Sequence, residues 1–347
     1  MGYDSVEIAN FIMESNLFAN ASPAFEIRPS ISYDPSVLDQ WGLYNSIDEG
    51  IDISASEAWN YATGRGVTVA VIDSGIDLEH EDLADNILGK SYDAESGESP
   101  SRLYTNSDLS HGTHCAGIIG AVRNNNLGLS GVAPEVSLMS ISVNFSSPDI
   151  EAQLADGINW AWKNGADILS CSWNAPVGNS LIKRAIDNAI INGREQLGSI
   201  FVVSSGNGLR SGTPVKFPAD YREEIIAVGN IQTNGILNTK SCIGDAMFVC
   251  APGTNILSTI VGNSYEEMNG TSMACAHVSG VVALMLDLNP TLTNSEVKEI
   301  IARSTKKIGH LPYATSKKYG IWNEYYGYGL IDASKAVINT IEQSLNH

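Results

Sequence analysis

Basic residues are scarce in this chain. Of its 347 residues, 20 are Lys or Arg and 39 are Asp or Glu, a formal net charge of −19. Such a surface repels nucleic acid and anionic lipid, so neither is expected as a partner, and the excess is read as a device for solubility. Long apolar runs are missing too. No stretch of about 18 apolar residues occurs, so no membrane span is expected. There is no internal repeat and no low-complexity tract. Cysteines number five, an odd count that leaves at least one unpaired within the chain. Cys115, Cys171 and Cys275 lie inside apolar patterns and read as small buried hydrophobes. Cys242 and Cys250, flanking a short turn-like stretch, remain as the one plausible disulfide pair, so cysteine usage does not set the redox compartment. The opening MGYDSVEIANF lacks the basic and apolar regions of a signal peptide. The protein therefore either stays inside the cell or has been trimmed of its leader.

What is present is an α/β pattern. VTVAVID (67–73), VSLMSISV (136–143), ADILSCSW (166–173), SIFVVSSG (199–206) and EIIAVGN (224–230) are short, rich in Val and Ile, and apolar without alternation. Strands buried on both faces look like this. Helical patterns intervene: Ile150, Leu154, Ile158 and Trp162 over 150–162, then Ile182, Ala185, Ile186 and Ala189 over 181–197. Strand–helix alternation predicts a mostly parallel central sheet with helices on both faces, its reactive groups at the carboxyl ends of strands. The first 40 or so residues differ: SVEIANFIMESNLF reads as an amphipathic helix, SPAFEI as a short strand, and RPSISYDPS as a linker.

Three segments carry residues suited to chemistry. VTVAVIDSGID ends a buried strand on Asp73, followed by Gly75. SHGTHCAGIIGAV opens an apolar helix on His111, with Gly112 permitting close approach. In EEMNGTSMACAHVSGVVALMLDLNP, Gly270 suits a tight turn and Thr271 and Ser272 suit a helix N-terminus. Val278, Val281, Val282, Met285 and Leu286 then recur at helical spacing until Pro290. Taken singly, the serine could be a cap, the histidine structural and the carboxylate ordinary. Together they are a nucleophile, a base and an orienting carboxylate. An alcohol attacks only when a base takes its proton, and imidazole titrates in the useful range. Zinc is not indicated, because His111 and His114 are three apart with neither HExxH nor a cysteine pair nearby. A dinucleotide fold is not indicated either, since the glycines of GRGVTVAVID precede the strand.

Asp-Ser-Gly, His-Gly-Thr-His-Cys-Ala-Gly and Gly-Thr-Ser-Met-Ala, in that order, resemble the subtilisin-like serine proteases, with features of the proteinase-K-like and thermitase-like branches. The resemblance runs over about residues 40–341. It implies a serine endopeptidase with Asp73, His111 and Ser272 as its triad, protein or peptide substrates, a monomer, and a secreted, cell-surface or periplasmic location. It implies Asn207, in FVVSSGNG, as a second oxyanion donor. It implies Ser172, Trp173 and Asn174 as one wall of the primary specificity pocket and Ser204, Ser205 and Gly206 as the other, with Asn174 standing where the family usually has glycine. Lys216 in VKFPAD would lie near the pocket base, although it reads first as a solvated lysine. It implies a Ca²⁺ loop in RNNNLGLSGVAP, with Asn125, Leu127 and Leu129 joined by Asp82 and by Asp34 or Gln40 in an all-oxygen shell. Cys115 would lie buried under His111. Where family members often have Ser-Pro-His after the nucleophile, this chain has Cys275-Ala276-His277. Residues 1–30 resemble the tail of an inhibitory prosegment, leaving 31–347 as the catalytic domain. A non-hydrolytic peptide-binding relative on the same fold, and a processing protease with one peptide partner, are the competing expectations.

Overall fold

The apolar runs assemble into one parallel sheet. The computed structural model describes residues 34–48, 50–104, 109–175 and 179–345. Its strands are β1 (Thr68–Asp73), β2 (Tyr92–Asp93), β3 (Ser137–Ser142), β4 (Ile168–Cys171), β5 (Ile200–Ser204), β6 (Ile226–Ile231) and β7 (Val249–Pro252). Their order across the sheet is β2-β3-β1-β4-β5-β6-β7, and every pairing is parallel. The N-terminal helix, strand and remnant expected within 1–30 lie outside the described residues.

Helices cover both faces of the sheet, which is why the strands show no alternation. The helices are α1 (Ala55–Ala58), α2 (His111–Gly120), α3 (Ile150–Lys163), α4 (Ser180–Asn192), α5 (Thr271–Leu288), α6 (Asn294–Ser304) and α7 (Ala333–Leu345). A Cβ added at Gly120 of α2 would come within 3.3 Å of Leu138, and one at Gly157 of α3 within 2.8 Å of Ile141. Residues three apart in a strand point to opposite faces, so α2 and α3 sit on opposite sides of β3. Helix α5 packs on β4, β5, β6 and β7. Its 18 residues have a mean hydropathy of 1.5, enough by length and composition to cross a bilayer, but 89% of that window is buried inside the molecule. It is the core helix of this fold.

Two expectations need correction. Cys242 and Cys250 form no disulfide: all five cysteines are buried and unbridged. Cys250 lies on β7 opposite Gly229 and points its thiol to the Tyr325 carbonyl at 3.7 Å, whereas the Cys242 backbone N–H is tied to Gly206 at 2.9 Å. The helical pattern read through residue 197 stops at Asn192. Arg194, Glu195 and Gln196 take left-handed φ of 48°, 54° and 76°. The turn is tied down by the Arg194 guanidinium, which donates to the carbonyls of Leu292 at 2.8 Å and Pro290 at 2.7 Å. Not anticipated were β2, β7, the antiparallel hairpin of β8 (Ile256–Ile260) and β9 (Ser264–Met268), and the hairpin of β10 (Thr315–Lys317) and β11 (Gly320–Trp322).

Candidate active site

Asp73 is the last residue of β1, and the turn after it is packed to contact distance. Gly75 has φ +103°, and a Cβ there would stand 2.0 Å from the Arg102 carbonyl oxygen. A Cβ at Gly112 would stand 2.3 Å from the Gly75 carbonyl oxygen. These two glycines let the first turn of α2 settle on the turn after β1, which delivers His111 to Asp73. The separation is 2.8 Å from Nδ1 to Oδ1 and 3.0 Å to Oδ2. Asp73 is buried and also accepts the Ser74 N–H at 2.7 Å. A carboxylate oxygen accepts, so Nδ1 is the ring nitrogen that donates to Asp73. The Cys115 Sγ lies within 4.8 Å of the Asp73 and His111 ligand atoms and is buried, under the histidine as expected.

Ser272 is the second residue of α5, over the carboxyl end of β4, the strand adjacent to β1. Its Oγ donates to the Ser172 carbonyl at 3.1 Å, and the Ser172 hydroxyl donates back to the Ser272 carbonyl at 3.1 Å. Asn207 is exposed beside this turn. Its Oδ1 accepts the Thr271 N–H at 3.1 Å and the Thr271 hydroxyl at 3.2 Å, which orients Nδ2 as the amide's donor. First-turn N–H groups of a helix have no intrahelical acceptor, so Ser272 N–H and Asn207 Nδ2 are two donors at one site.

The two candidate pocket walls meet in a way the sequence does not reveal. Asn174 Nδ2 crosses to Ser204, at 3.0 Å from its carbonyl and 3.3 Å from its hydroxyl. Trp173 is buried, and Ser205 turns its hydroxyl to the Cys242 carbonyl at 3.3 Å. Lys216 is half-buried, not fully solvated, with Nζ 2.9 Å from the Asn207 carbonyl oxygen.

The expected calcium ligands gather around one loop. Asp34, Gln40 and Asp82 are all buried. Asp82 accepts from Asn125 Nδ2 at 2.8 Å, Leu129 N–H at 3.1 Å and the Tyr265 hydroxyl at 3.2 Å. Asp34 accepts the N–H groups of Asn124 at 2.8 Å and Asn126 at 3.1 Å. Gln40 Oε1 accepts Ser130 N–H at 2.9 Å. Burial pushes the Asp82 carboxyl up; its three hydrogen bonds oppose that shift, and the Asp34 charge adds to it. Two buried carboxylates close enough to repel, on a loop with further oxygens, are a donor set that a hard cation fits. Asn125 turns its nitrogen to Asp82 and its oxygen to the Leu127 N–H at 2.8 Å, so lending that oxygen to an ion requires the side chain to move. Tyr265, which sequence reasoning missed, comes from β9 with no local signal in its own segment.

His114 and His277 are kept neutral by the core. Burial lowers both to about 4. His114 Nε2 faces the carbonyls of Ile256 at 3.0 Å and Glu266 at 3.1 Å, and His277 Nδ1 faces that of Met273 at 2.9 Å. Neither ring is placed to act as the base.

The sequence profile of the subtilase family (peptidase S8) matches residues 64–329. Subtilisin DY from Bacillus licheniformis is 36% identical over 276 residues, 79% of this chain and 91% of that protein. Thermitase from Thermoactinomyces vulgaris is 32% identical over 286 residues, 82% of this chain and 93% of that protein. Among solved structures, a protease from Pseudoalteromonas arctica PAMC 21717 has a TM-score of 0.74 at 28% identity, covering 90% of this chain and 100% of that one. The Aeromonas sobria serine protease, solved in complex with a chaperone, shares the fold with a TM-score of 0.75 at 21% identity, covering 91% of this chain and 68% of that one.

Proposed function

Because the chain belongs to the subtilase family and is a serine endopeptidase, we propose that Ser272 is its nucleophile, His111 its base and Asp73 the carboxylate that orients the base. Ser272 Oγ attacks the scissile carbonyl carbon as His111 Nε2 takes its proton. Asp73 holds the imidazole in that tautomer and stabilises the imidazolium. Ser272 N–H and Asn207 Nδ2 receive the oxyanion. The C–N bond breaks as His111 returns the proton to the departing amine. Water, deprotonated by the same nitrogen, then releases the acid from Ser272. The observation that carries this reading is the Asp73 carboxylate spanning His111 Nδ1 at 2.8 and 3.0 Å. The experiment is labelling with a fluorophosphonate followed by peptide mapping. The reading requires the adduct on Ser272 and its absence in Ser272→Ala; an adduct elsewhere overturns it.

We further propose that the loop at residues 124–129 binds Ca²⁺ as a structural ion. Asp82, Asp34, Gln40, Asn125 and the carbonyls of Leu127 and Leu129 are the oxygens to hold it. When bound, the ion would neutralise the two buried carboxylates; it has no part in peptide hydrolysis.

Residues 1–30 are proposed to derive from an inhibitory prosegment that is cut away, on the strength of the sequence SPAFEI and the Pro-bearing sequence RPSISYDPS. N-terminal sequencing tests this: active enzyme should begin between Ile27 and Gln40, and Ser272→Ala should keep its start. A monomer acting on proteins outside the cytoplasm is the remaining part of the reading. Gel filtration and fractionation of the producing cells test it.

A further inference from the structure

The segments beside Ser272 bring a cation, Lys216, close to the site. Ser172, whose carbonyl holds the Ser272 hydroxyl, leads through Trp173 to Asn174. Asn174 reaches Ser204 on the facing segment, and Lys216 N–H donates to the Ser205 carbonyl at 3.0 Å, bringing a third segment alongside. The Lys216 stem lies against Gly206, where a Cβ would stand 2.9 Å from Cδ and 3.2 Å from Asn174 Oδ1. Nζ donates to the carbonyl of Asn207, whose side chain is fixed on Thr271, the neighbour of Ser272. The ammonium is therefore linked to the reacting serine by a short hydrogen-bonded path.

Among the described residues that cation meets no carboxylate. Among the described residues Lys216 takes part in no ion pair, in a chain with 39 acidic and 20 basic side chains. One of its three N–H groups goes to Asn207, leaving two to offer. With its stem against Gly206 and its ammonium on the Asn207 carbonyl, Lys216 is held at the site with charge left for a ligand to meet.

We propose that Lys216 sets the cleavage preference: the residue that supplies the attacked carbonyl is Glu or Asp, its carboxylate pairing with Lys216 Nζ. The inference rests on Ser272 being the nucleophile. With the carbonyl carbon at Ser272 Oγ and its oxygen on Ser272 N–H and Asn207 Nδ2, the adjoining side chain enters the recess that Asn174, Gly206 and Lys216 border. A carboxylate there gains a charge-assisted hydrogen bond from Lys216 Nζ, while Asn174 Nδ2 stays on Ser204. A lysine or arginine there meets like charge. Asn174, spanning toward Ser204, narrows the recess against aromatic rings.

The test is kcat/KM on peptides identical except for that residue: Glu, Gln, Leu, Phe or Lys. Glu should exceed Gln on the order of tenfold at low salt, and the ratio should shrink as salt screens the pair. Lys216→Met should bring the Glu-to-Gln ratio near one, and Lys216→Glu should favour the Lys peptide. Ratios within one variant cancel any disturbance of Asn207 that the substitution causes. A wild-type ratio of one or below, or a ratio unchanged in Lys216→Met, overturns the inference. Failure of the underlying mechanism is separate: it would show as turnover of all the peptides by Ser272→Ala.

Discussion

Ser272 and Ser172 hold each other: each hydroxyl donates to the other's backbone carbonyl at 3.1 Å. This reciprocal pair pins the first turn of α5 to the end of β4, and it keeps the Ser272 hydroxyl proton on a carbonyl oxygen in the resting arrangement. In the proposed mechanism Ser272 Oγ would turn from Ser172 to His111, leaving the Ser172 hydroxyl bond to hold the backbone.

Ser272→Ala should lower kcat on a peptide substrate by about 10⁶-fold, because a triad works as a unit and a methyl group cannot attack. The fold should survive, since the Ser172 hydroxyl still bonds the residue 272 carbonyl. Turnover within tenfold of wild type at equal protein concentration, in a preparation free of wild-type enzyme, would be incompatible with the mechanism.

Asn207→Ala should reduce kcat by roughly 10²–10³-fold with KM little changed, because the lost N–H acts on charge that develops only in the transition state. Steady-state kinetics separates the two constants. A rise in KM at constant kcat would instead make Asn207 a ground-state binding residue.

Acid should weaken the fold before ordinary carboxylates titrate. His114 and His277 sit at about 4 when folded and near the ordinary imidazole value when unfolded. Between about pH 6.5 and 4 the unfolded chain binds more protons at these rings, so stability is full above 6.5 and falls as pH drops. Asp82 and Asp167, which burial pushes up, work in the opposite sense. Urea midpoints at about pH 7 and 5.5 should therefore differ in the direction the histidines set, and ¹⁵N spectra at pH 5.5 should show both rings neutral in folded protein. Protonated rings there would contradict this.

Chelator should lower the melting temperature, because a ligand held only by the folded state stabilises it by mass action. Asp82→Asn should remove most of that response by taking one carboxylate from the set. Equal melting curves with and without chelator, on protein first loaded with Ca²⁺, would count against the site.

The chain's local patterns determined the sheet and the candidate triad because each reports on its own surroundings. Residues 69–72 and 200–203 had to be apolar on both faces, and they read so. Asp73, His111 and Ser272 each stand where a periodic element begins or ends, which is visible without knowing any partner. Strand order and the contacts that follow from it were decided only in three dimensions. Strand β2, two residues long, and β7, VCAP, carry too little pattern to register. Nothing near Cys242 shows that Cys250 is committed to Gly229 and Tyr325. Nothing near Lys216 shows that its ammonium comes to Asn207, or that Asn174 reaches Ser204. Periodicity records whether a side chain is buried; what it is buried against depends on packing between segments distant in sequence.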